Sequence, residues 1–262
     1  MSDIVLQQLE YGLLTITMNR SERRNALNAE MSRGLVEAAR RAAEDADVRA
    51  VLLKGAGGTF CVGGDVKAMA SATETPSLEA KVTQLRRGME VSRLLHIMAK
   101  PVVAQIDGAA AGAGLSIALA CDLRVASASA KITTAFAKVG YSGDYGGTYF
   151  LTQLLGSAKA RELYLLSPVL TAHEALALGM VNRVVPDAEI DAAARDLAMS
   201  LARGPTVTYG YIKKNINNAE HQSLEACFDG EALHHSRCSD TADHKEAAKA
   251  FVEKRAAVFR GY

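Results

Sequence analysis

The sequence shows almost no imbalance of charge, and this absence excludes one class of partner. Its 262 residues include 30 lysines and arginines and 29 aspartates and glutamates, so the formal net charge at pH 7 is +1. Because the two signs are mixed along the chain, no basic face for nucleic acid is predicted. We therefore expect no nucleic-acid partner.

Long apolar runs and closely spaced cysteines are also absent. No hydrophobic run approaches the roughly 18 residues that cross a bilayer, and residues 1–4 lack the basic and apolar regions of a signal peptide. The cysteines have no CxxC or CxxH spacing and stand at Cys61, Cys121, Cys227 and Cys238. This pattern predicts thiols in a reducing compartment, no metal site, no membrane partner and a cytoplasmic protein.

Hydrophobic residues make up 49% of the sequence, which is enough for one large core or a core with a smaller appendage. The predicted strands are residues 5–9, 13–18, 48–54, 102–106, 123–126 and 181–185. The predicted helices are residues 29–45, 78–98, 115–120, 149–155, 158–166, 172–178, 189–202, 207–218, 224–237 and 241–255. Because residues after 203 add no strand, the sequence predicts two units, 1–203 and 204–262.

Small residues follow the predicted strand at 102–106. Residues 108–114 are all Gly or Ala, and a helical pattern begins at Leu115. Small side chains let the backbone approach a ligand closely, and the N–H groups at a helix start suit an anion or oxyanion. A turn of this kind also occurs where a helix packs tightly on a sheet. A dinucleotide loop is disfavoured, because Ile117 replaces the third glycine of Gly-x-Gly-x-x-Gly.

A second glycine-rich turn comes earlier in the chain. Apolar residues 60–62 lead into Gly63 and Gly64, and a helical pattern follows. Two N–H groups from separate turns that face one oxygen would form an oxyanion hole, in which each donor lowers the barrier by roughly 3 kcal/mol. The repetition favours a functional role for both turns.

Three polar features remain. The loop at residues 19–25 contains three arginines, and it is either solvated or in contact with a polyanionic ligand such as a nucleotide. Asp144 is a single acid among glycines and tyrosines, where its structural role would be a helix cap or a turn. His234 and His235 are adjacent, so they point in different directions from a helix and form a poor metal pair.

These residues together resemble the crotonase (enoyl-CoA hydratase/isomerase) superfamily over essentially the whole chain. The resemblance depends on the order and spacing of short motifs. They are Asn19-Arg20, Arg24-Asn-Ala-Leu-Asn28, Phe60-Cys-Val-Gly-Gly-Asp65, Lys100-Pro101, Asp107-Gly-Ala-Ala-Ala-Gly-Ala-Gly114, Cys121-Asp122, Gly146-Gly-Thr148, residues 172–182 and Phe251-x-x-Lys254-Arg255. Within the superfamily, residues 136–144 and the C-terminal helices are most similar to the branch of 1,2-epoxyphenylacetyl-CoA isomerase and Δ3,Δ2-enoyl-CoA isomerase.

The resemblance implies an α/β fold, a spiral of ββα units over residues 1–203 with a helical trimerisation region at 204–262. It implies a homotrimer or a dimer of trimers, with an acyl-CoA thioester as substrate and no cofactor apart from the coenzyme A of that substrate. The oxyanion donors would be the N–H groups of Val62 and Ala113, and Phe251 and Lys254 would reach a ligand in a neighbouring subunit. The other implied substrate contacts are Arg24, Ala26, Gly63, Gly64, Asp65, Lys67, Gly112, Tyr141 and Tyr145.

Departures from the family's hydratases indicate the reaction. Those hydratases use two glutamates, and the corresponding positions here are Ser116 and Phe136. Adding water to a double bond needs one group to activate water and another to handle the α-proton. The isomerases carry their catalytic acid at the position of Asp144, usually after a proline that is Gly143 here. The sequence therefore predicts an isomerase in which Asp144 moves a proton along an enoyl-CoA, with a carboxyl pKa raised by apolar surroundings.

Other functions stay open at this point. A hydratase for an unusual cyclic or aromatic acyl-CoA would position water with Asp144 alone. A nucleophilic Asp144, as in aryl-CoA dehalogenases, is disfavoured because their Trp-His pair is absent at Phe136-Ala137. A serine hydrolase is disfavoured because the sequence after Ser116 lacks the second glycine of a nucleophile elbow. A non-catalytic protein that binds CoA esters is the last alternative. Tyr141 and Tyr145 would hydrogen-bond to the carboxylate, contact the acyl group, or only pack.

Overall fold

The computed structural model describes residues 4–66 and 76–262. The strands are β1 Val5–Glu10, β2 Leu13–Met18, β3 Ala50–Gly55, β4 Val102–Ile106, β5 Ala109–Ala111, β6 Leu123–Ser127, β7 Lys131–Thr133, β8 Leu170–Thr171 and β9 Arg183–Val185. The α-helices are α1 Ala29–Glu44, α2 Leu78–Ile97, α3 Ala113–Leu119, α4 Gly147–Leu166, α5 Ala172–Ala177, α6 Ile190–Ala202, α7 Thr206–Ala219, α8 Leu224–Ser239 and α9 Ala242–Glu253.

The larger sheet has six strands in the order β1-β2-β3-β4-β6-β9. Strands β1 and β2 are antiparallel, and every later pair is parallel. Parallel neighbours need a crossover connection, and α1, α2 and α3 lie in the connections that lead to β3, β4 and β6. Strands β5, β7 and β8 form a second, smaller sheet. The predicted α/β class is confirmed.

Apolar contacts cover both faces of the larger sheet, as is usual for parallel strands. Strand β3 shows how the sequence achieves this, because successive side chains point to opposite faces. Val51 and Leu53 lie in the main core, and Leu52 lies in a second cluster with Ile190 and Ala194 of α6. The strand ends are thereby fixed between two helical layers, and the loops that leave them are held in place.

Local hydrogen bonds fix where several helices begin. The Asn28 side chain accepts the Met31 amide at the start of α1, and the Ser77 side chain caps α2 in the same way. The capping box that the sequence predicts at Thr171 and Glu174 is present at the start of α5. Each cap satisfies amides that have no partner inside the helix.

The structure differs from the predicted elements in the smaller sheet and in α4. None of the strands β5, β7 and β8 was predicted, because two or three residues are too few to give a strand pattern in the sequence. The helices predicted at 149–155 and 158–166 are the two halves of α4, which are separated by the non-helical Gly156 with φ 75° and ψ 160°. The other helices and strands predicted within the described residues are found within a few residues of their predicted ends, and most of the helical pattern after Gly64 lies outside the described residues.

Helices α7, α8 and α9 confirm the helical pattern of the C-terminal residues. The division at residue 203 and the trimerisation of these helices stay predictions. Among residues 4–66 and 76–262, no helix is both long and apolar enough to cross a membrane.

A buried lysine attaches α7 to the core. Lys213 is 7% exposed, and its Nζ donates to the Leu95 carbonyl at 2.7 Å and to Asp122 Oδ2 at 2.8 Å. The same carboxylate oxygen accepts the amide of Val102 at the start of β4, at 2.7 Å. One carboxylate therefore joins the first C-terminal helix to the strand that leads into the glycine-rich turn.

We expect Lys213→Met to lower the free energy of unfolding by about 2 kcal/mol. Loss of one member of a buried ion pair costs roughly 3–5 kcal/mol, and the loss is smaller here because the Asp122 side chain is 27% exposed and keeps its bond to Val102. Urea unfolding measures the change, with Lys214→Met at the exposed neighbouring position as the control. Equal stability of the two variants would contradict this role for Lys213.

Candidate active site

The first component of the site is the turn between β5 and α3. Gly112 has φ 52° and ψ −127°, a backbone conformation that side chains other than glycine rarely adopt. Ala113 is the first residue of α3 and is 4% exposed. Among the described residues, no backbone carbonyl accepts its N–H. The turn therefore presents a buried amide that is available to a ligand.

The second component is the turn that follows Phe60. The amide of Val62 donates to the Arg24 carbonyl at 3.3 Å, and the Gly63 amide donates to the Cys61 sulfur at 3.4 Å. Within residues 4–66 and 76–262, the Gly64 amide has no hydrogen-bond acceptor. Val62 stays the predicted donor of this turn, because its 3.3 Å contact with the Arg24 carbonyl is long for an N–H···O bond.

The two turns are in direct backbone contact. A β-carbon added to Gly63 would lie 2.9 Å from the Ala111 carbonyl oxygen and 3.3 Å from the Ala113 nitrogen. A β-carbon added to Gly114 would lie 2.3 Å from the Cys61 carbonyl oxygen. Only glycine fits at these positions, and the backbones of the two turns are therefore held against each other.

Asp144 lies beside these turns with its carboxyl group turned inward. Its Oδ1 is buried, and among the described residues it has no hydrogen-bond partner. Burial raises the pKa of Asp144 from 3.8 to about 6. Burial also raises the pKa of Cys61 to about 12, and the negative charge of Asp144 adds to that rise. The acid is therefore close enough to the turn that follows Phe60 to affect the electrostatics of that turn.

The structural role considered for Asp144 is not the one found. The residue that caps α4 is Gly146, and no side chain caps that helix. The Asp144 carbonyl accepts the Gly147 amide at 3.1 Å. In the described part of the chain, the side chain forms no helix cap, and its Oδ1 has no hydrogen-bond partner.

The two tyrosines beside Asp144 point to different environments. Tyr145 is 5% exposed, and its hydroxyl is 3.0 Å from Ser32 Oγ on α1. Tyr141 is 59% exposed. The Tyr145 hydroxyl is therefore used to attach the loop to α1, and packing rather than a bond to the acid accounts for its position.

The positions of the hydratase glutamates hold no carboxylate. Ser116 is 1% exposed, and its hydroxyl donates to the Gly112 carbonyl at 3.2 Å. Phe136 is 6% exposed, and its ring lies parallel to that of Tyr164 with 5.8 Å between the centroids. Sequence analysis did not identify Tyr164, because its helix shows only an apolar pattern.

The arginine-rich loop is held against the turn that follows Phe60. Arg20 forms an ion pair with Asp65 at 2.9 Å and donates to the Ala26 carbonyl at 3.0 Å. Asn25, which sequence analysis did not single out, is fully buried and donates from its side chain to the Ala56 and Thr59 carbonyls. These bonds leave Arg24 exposed beside the site.

Three predicted contact residues lie elsewhere or outside the described residues. Phe251 is 85% exposed on α9, and Lys254 is exposed just after that helix. None of the hydrogen bonds or ion pairs of the described residues joins either side chain to the glycine-rich turns. Lys67 lies outside the described residues. In the described part of the chain, no group of three or more His, Cys, Asp or Glu side chains could hold a metal ion.

The raised pKa of Asp144 predicts that its carboxyl destabilises the fold at neutral pH. Between pH 3.8 and about 6, the folded protein keeps the proton and the unfolded chain loses it, so stability falls as the pH rises through this interval. The full loss is at most about 3 kcal/mol. We therefore expect Asp144→Asn to be more stable than the wild type at neutral pH and equally stable below pH 3.8.

Urea unfolding of both proteins across this pH range measures the difference. Asp47→Asn, a change at an exposed aspartate, serves as the control. A stability difference between wild type and Asp144→Asn that does not change with pH would show that the Asp144 carboxyl is solvated.

Comparison with known proteins supports a family assignment. The model of the enoyl-CoA hydratase/isomerase family matches residues 8–262. The 1,2-epoxyphenylacetyl-CoA isomerase of Escherichia coli (strain K12) is 37% identical over 261 residues, which cover 100% of each chain. The short-chain-enoyl-CoA hydratase of Clostridium acetobutylicum is 31% identical over 97% of this chain and 96% of that protein.

A solved structure extends the likeness to the fold. An enoyl-CoA hydratase from Polaromonas sp. JS666 superimposes with a TM-score of 0.91 at 31% identity, over 98% of this chain and 99% of that one. The predicted crotonase-like architecture with C-terminal helices is confirmed. The chain belongs to the enoyl-CoA hydratase/isomerase family, the crotonase superfamily.

Proposed function

We propose that the protein is an acyl-CoA isomerase that moves a double bond in an enoyl-CoA thioester by a 1,3-proton shift. The proposal rests on one observation. The Asp144 carboxyl is buried beside the two glycine-rich turns, and its Oδ1 has no hydrogen-bond partner among the described residues. A general base works best when its pKa lies near the operating pH, and burial raises that of Asp144 to about 6.

The reaction needs one base and one oxyanion site. Asp144 removes a proton from the carbon next to the thioester of a 3-enoyl-CoA and returns it two carbons away, which leaves a 2-enoyl-CoA. Between the two transfers, the substrate is an enolate whose charge is on the thioester oxygen. The Ala113 amide, which has no acceptor among the described residues, and the Val62 amide would donate to that oxygen.

Addition of water is the second candidate, and family membership alone does not decide between the two. The E. coli relative is named an isomerase and the Clostridium relative a hydratase. The site favours isomerisation because Ser116 and Phe136 supply no second carboxylate, and the Ser116 hydroxyl is already bonded to Gly112. Mass spectrometry distinguishes the two reactions, since only hydration adds the mass of water to the substrate.

The coenzyme A part of the substrate would bind at the arginine-rich loop. Arg24 is exposed there and would meet the phosphates, while the Ala26 carbonyl, which already accepts from Arg20, has one lone pair left for the adenine. Gly63, Gly64, Asp65, Lys67, Gly112, Tyr141 and Tyr145 remain proposed substrate contacts, and Phe251 and Lys254 remain proposed contacts to the ligand of a neighbouring subunit. No cofactor other than this coenzyme A takes part in the proposed reaction.

Self-association as a homotrimer or a dimer of trimers is part of the proposal, with a cytoplasmic location. Ile212 and Ile216 on α7 are 49% and 60% exposed, and Leu224 and Phe228 on α8 are 63% and 60% exposed. The members of each pair are four residues apart, so each helix presents an apolar stripe. Contiguous exposed apolar surface of this kind marks an interface.

Asp144→Asn tests the proposed base. We expect the isomerisation rate to fall by about two to four decades, while the affinity for acyl-CoA stays near that of the wild type because the amide is the same size. The readout is product NMR in deuterated water with linear, aromatic and alicyclic enoyl-CoA thioesters, together with calorimetric binding. Isomerisation at a near-normal rate by this variant would place the base on another residue.

Ala113→Pro tests the oxyanion amide, because proline has no N–H and is well tolerated at the first position of a helix. We expect kcat to fall by roughly 100- to 1,000-fold with the fold retained. Ala113→Gly is the matched control, since it keeps the N–H and adds no atoms. If both variants lost activity to the same extent, the Ala113 N–H would not be the group that stabilises the oxyanion.

A further inference from the structure

Tyr164 lies in the candidate site although it is twenty residues beyond Asp144 in the sequence. In a straight helix, Gly147 and Tyr164 would be about 25 Å apart along the axis. A β-carbon added to Gly147 would nevertheless lie 2.4 Å from the Tyr164 hydroxyl oxygen. The break at Gly156 in α4 therefore reverses the chain and returns Tyr164 to the start of its own helix.

The Tyr164 side chain lies against the two glycines that flank the acid. A β-carbon on Gly143 would be 2.9 Å from Tyr164 Cε1, so any larger residue there would collide with the ring. Gly143 also has φ 116°, which proline, with φ fixed near −65°, cannot adopt. The glycine in place of the family's usual proline is thus explained by the ring that packs on it. Burial raises the pKa of Tyr164 to about 12, and the negative charge of Asp144 contributes to the rise.

The Tyr164 ring also packs against the ring of Phe136. The two rings are stacked with an angle of 4° between their planes. Phe136 reaches the oxyanion turn, since a β-carbon on Gly112 would lie 3.8 Å from Phe136 Cε1 and 3.9 Å from Gly63 Cα. The stacked pair therefore runs from the two glycine-rich turns to the loop that carries Asp144. We call these two side chains the aromatic wall.

The aromatic wall contains no group that can activate water. Phe136 has no polar side-chain atom. The Tyr164 hydroxyl stays protonated at neutral pH because of its raised pKa. It points to Ser116, since a β-carbon added to Gly147 would lie 2.4 Å from the Tyr164 hydroxyl oxygen and 2.2 Å from Ser116 Oγ. Hydration of a 2-enoyl-CoA requires a water molecule at the acyl chain and a base beside it. Water has no hydrogen-bonding position on the ring faces.

We propose that Tyr164, stacked on Phe136, is a specificity-determining residue that keeps water away from the acyl group, so that Asp144 transfers protons and does not add water. The inference deepens the proposed function and rests on it. Tyr164 also positions the acid, because its ring fixes the backbone on both sides of Asp144.

The test compares Tyr164→Phe, which keeps the ring, with Tyr164→Ala, which opens the wall. We expect Tyr164→Phe to give the wild-type product ratio. We expect Tyr164→Ala to form 3-hydroxyacyl-CoA, with the oxygen of water on C3 and a proton on C2, at a ratio of hydrated to isomerised product at least about tenfold higher. Mass spectrometry in ¹⁸O-labelled water measures that ratio. Leu165→Ala, an exposed position on the same helix, is the control for a large-to-small change.

A second measurement needs no substrate. The titratable groups near Asp144 are Cys61, Tyr145 and Tyr164, and none of them carries a charge at neutral pH. If the wall excludes water, Tyr164→Ala lowers the Asp144 pKa from about 6 toward 3.8, as followed by ¹³C NMR of the labelled carboxyl, and Tyr164→Phe leaves it unchanged. Tyr164→Leu, with circular dichroism as the check of folding, replaces the alanine variant if that variant is unfolded.

The outcomes separate the two proposals. If the wild type does not isomerise any enoyl-CoA, the proposed function fails, and the NMR titration still decides whether Tyr164 excludes water. If the wild type isomerises, and a folded variant that opens the wall shows neither added hydration nor a lower Asp144 pKa, the role of Tyr164 is overturned.

Discussion

The close approach of the two glycine-rich turns is the contact on which the site depends. Gly63 lies against the backbone of residues 111–113, and Gly114 lies against the carbonyl of Cys61. A single methyl group at either glycine would push the turns apart, because the atoms it meets are backbone and cannot move aside. The contact holds the two turns together, and strands β3 and β4, which lie between two helical layers, keep the turns in place.

The polar groups of the scaffold and of the site differ in how they are satisfied. Lys213 and Asn25 are buried, and each makes several hydrogen bonds. Asp144 is buried without a partner for Oδ1 within the described residues. Burying a carboxylate oxygen without a partner costs stability at that position, and such a cost is common at functional sites.

Much of the architecture could be predicted because the signals are local. The apolar run of β4 and the capping box of α5 depend on residues within a few positions of each other, and both were found. The second sheet was missed because its strands are too short to show a period. The catalytic role of Asp144 was predicted from the family resemblance and stays a prediction; the structure adds that its Oδ1 is buried without a partner among the described residues.

Other features of the site depend on backbone angles that the sequence does not display. The close approach of the two turns depends on the positive φ of Gly63. Tyr164 reaches the site only because α4 reverses at Gly156. Neither angle leaves a mark on hydrophobic periodicity, so a pattern of apolar residues could not have separated these residues from the core.

The reversal at Gly156 also affects how the site is assembled during folding. The acid loop and the aromatic ring that packs on it belong to one helical hairpin, residues 143–166, whose two halves contact each other without the sheet. Closing a loop of this length costs little chain entropy compared with pairing distant strands. We expect the surroundings of the acid to form as one local unit, which then docks as a whole onto the slower-forming parallel sheet.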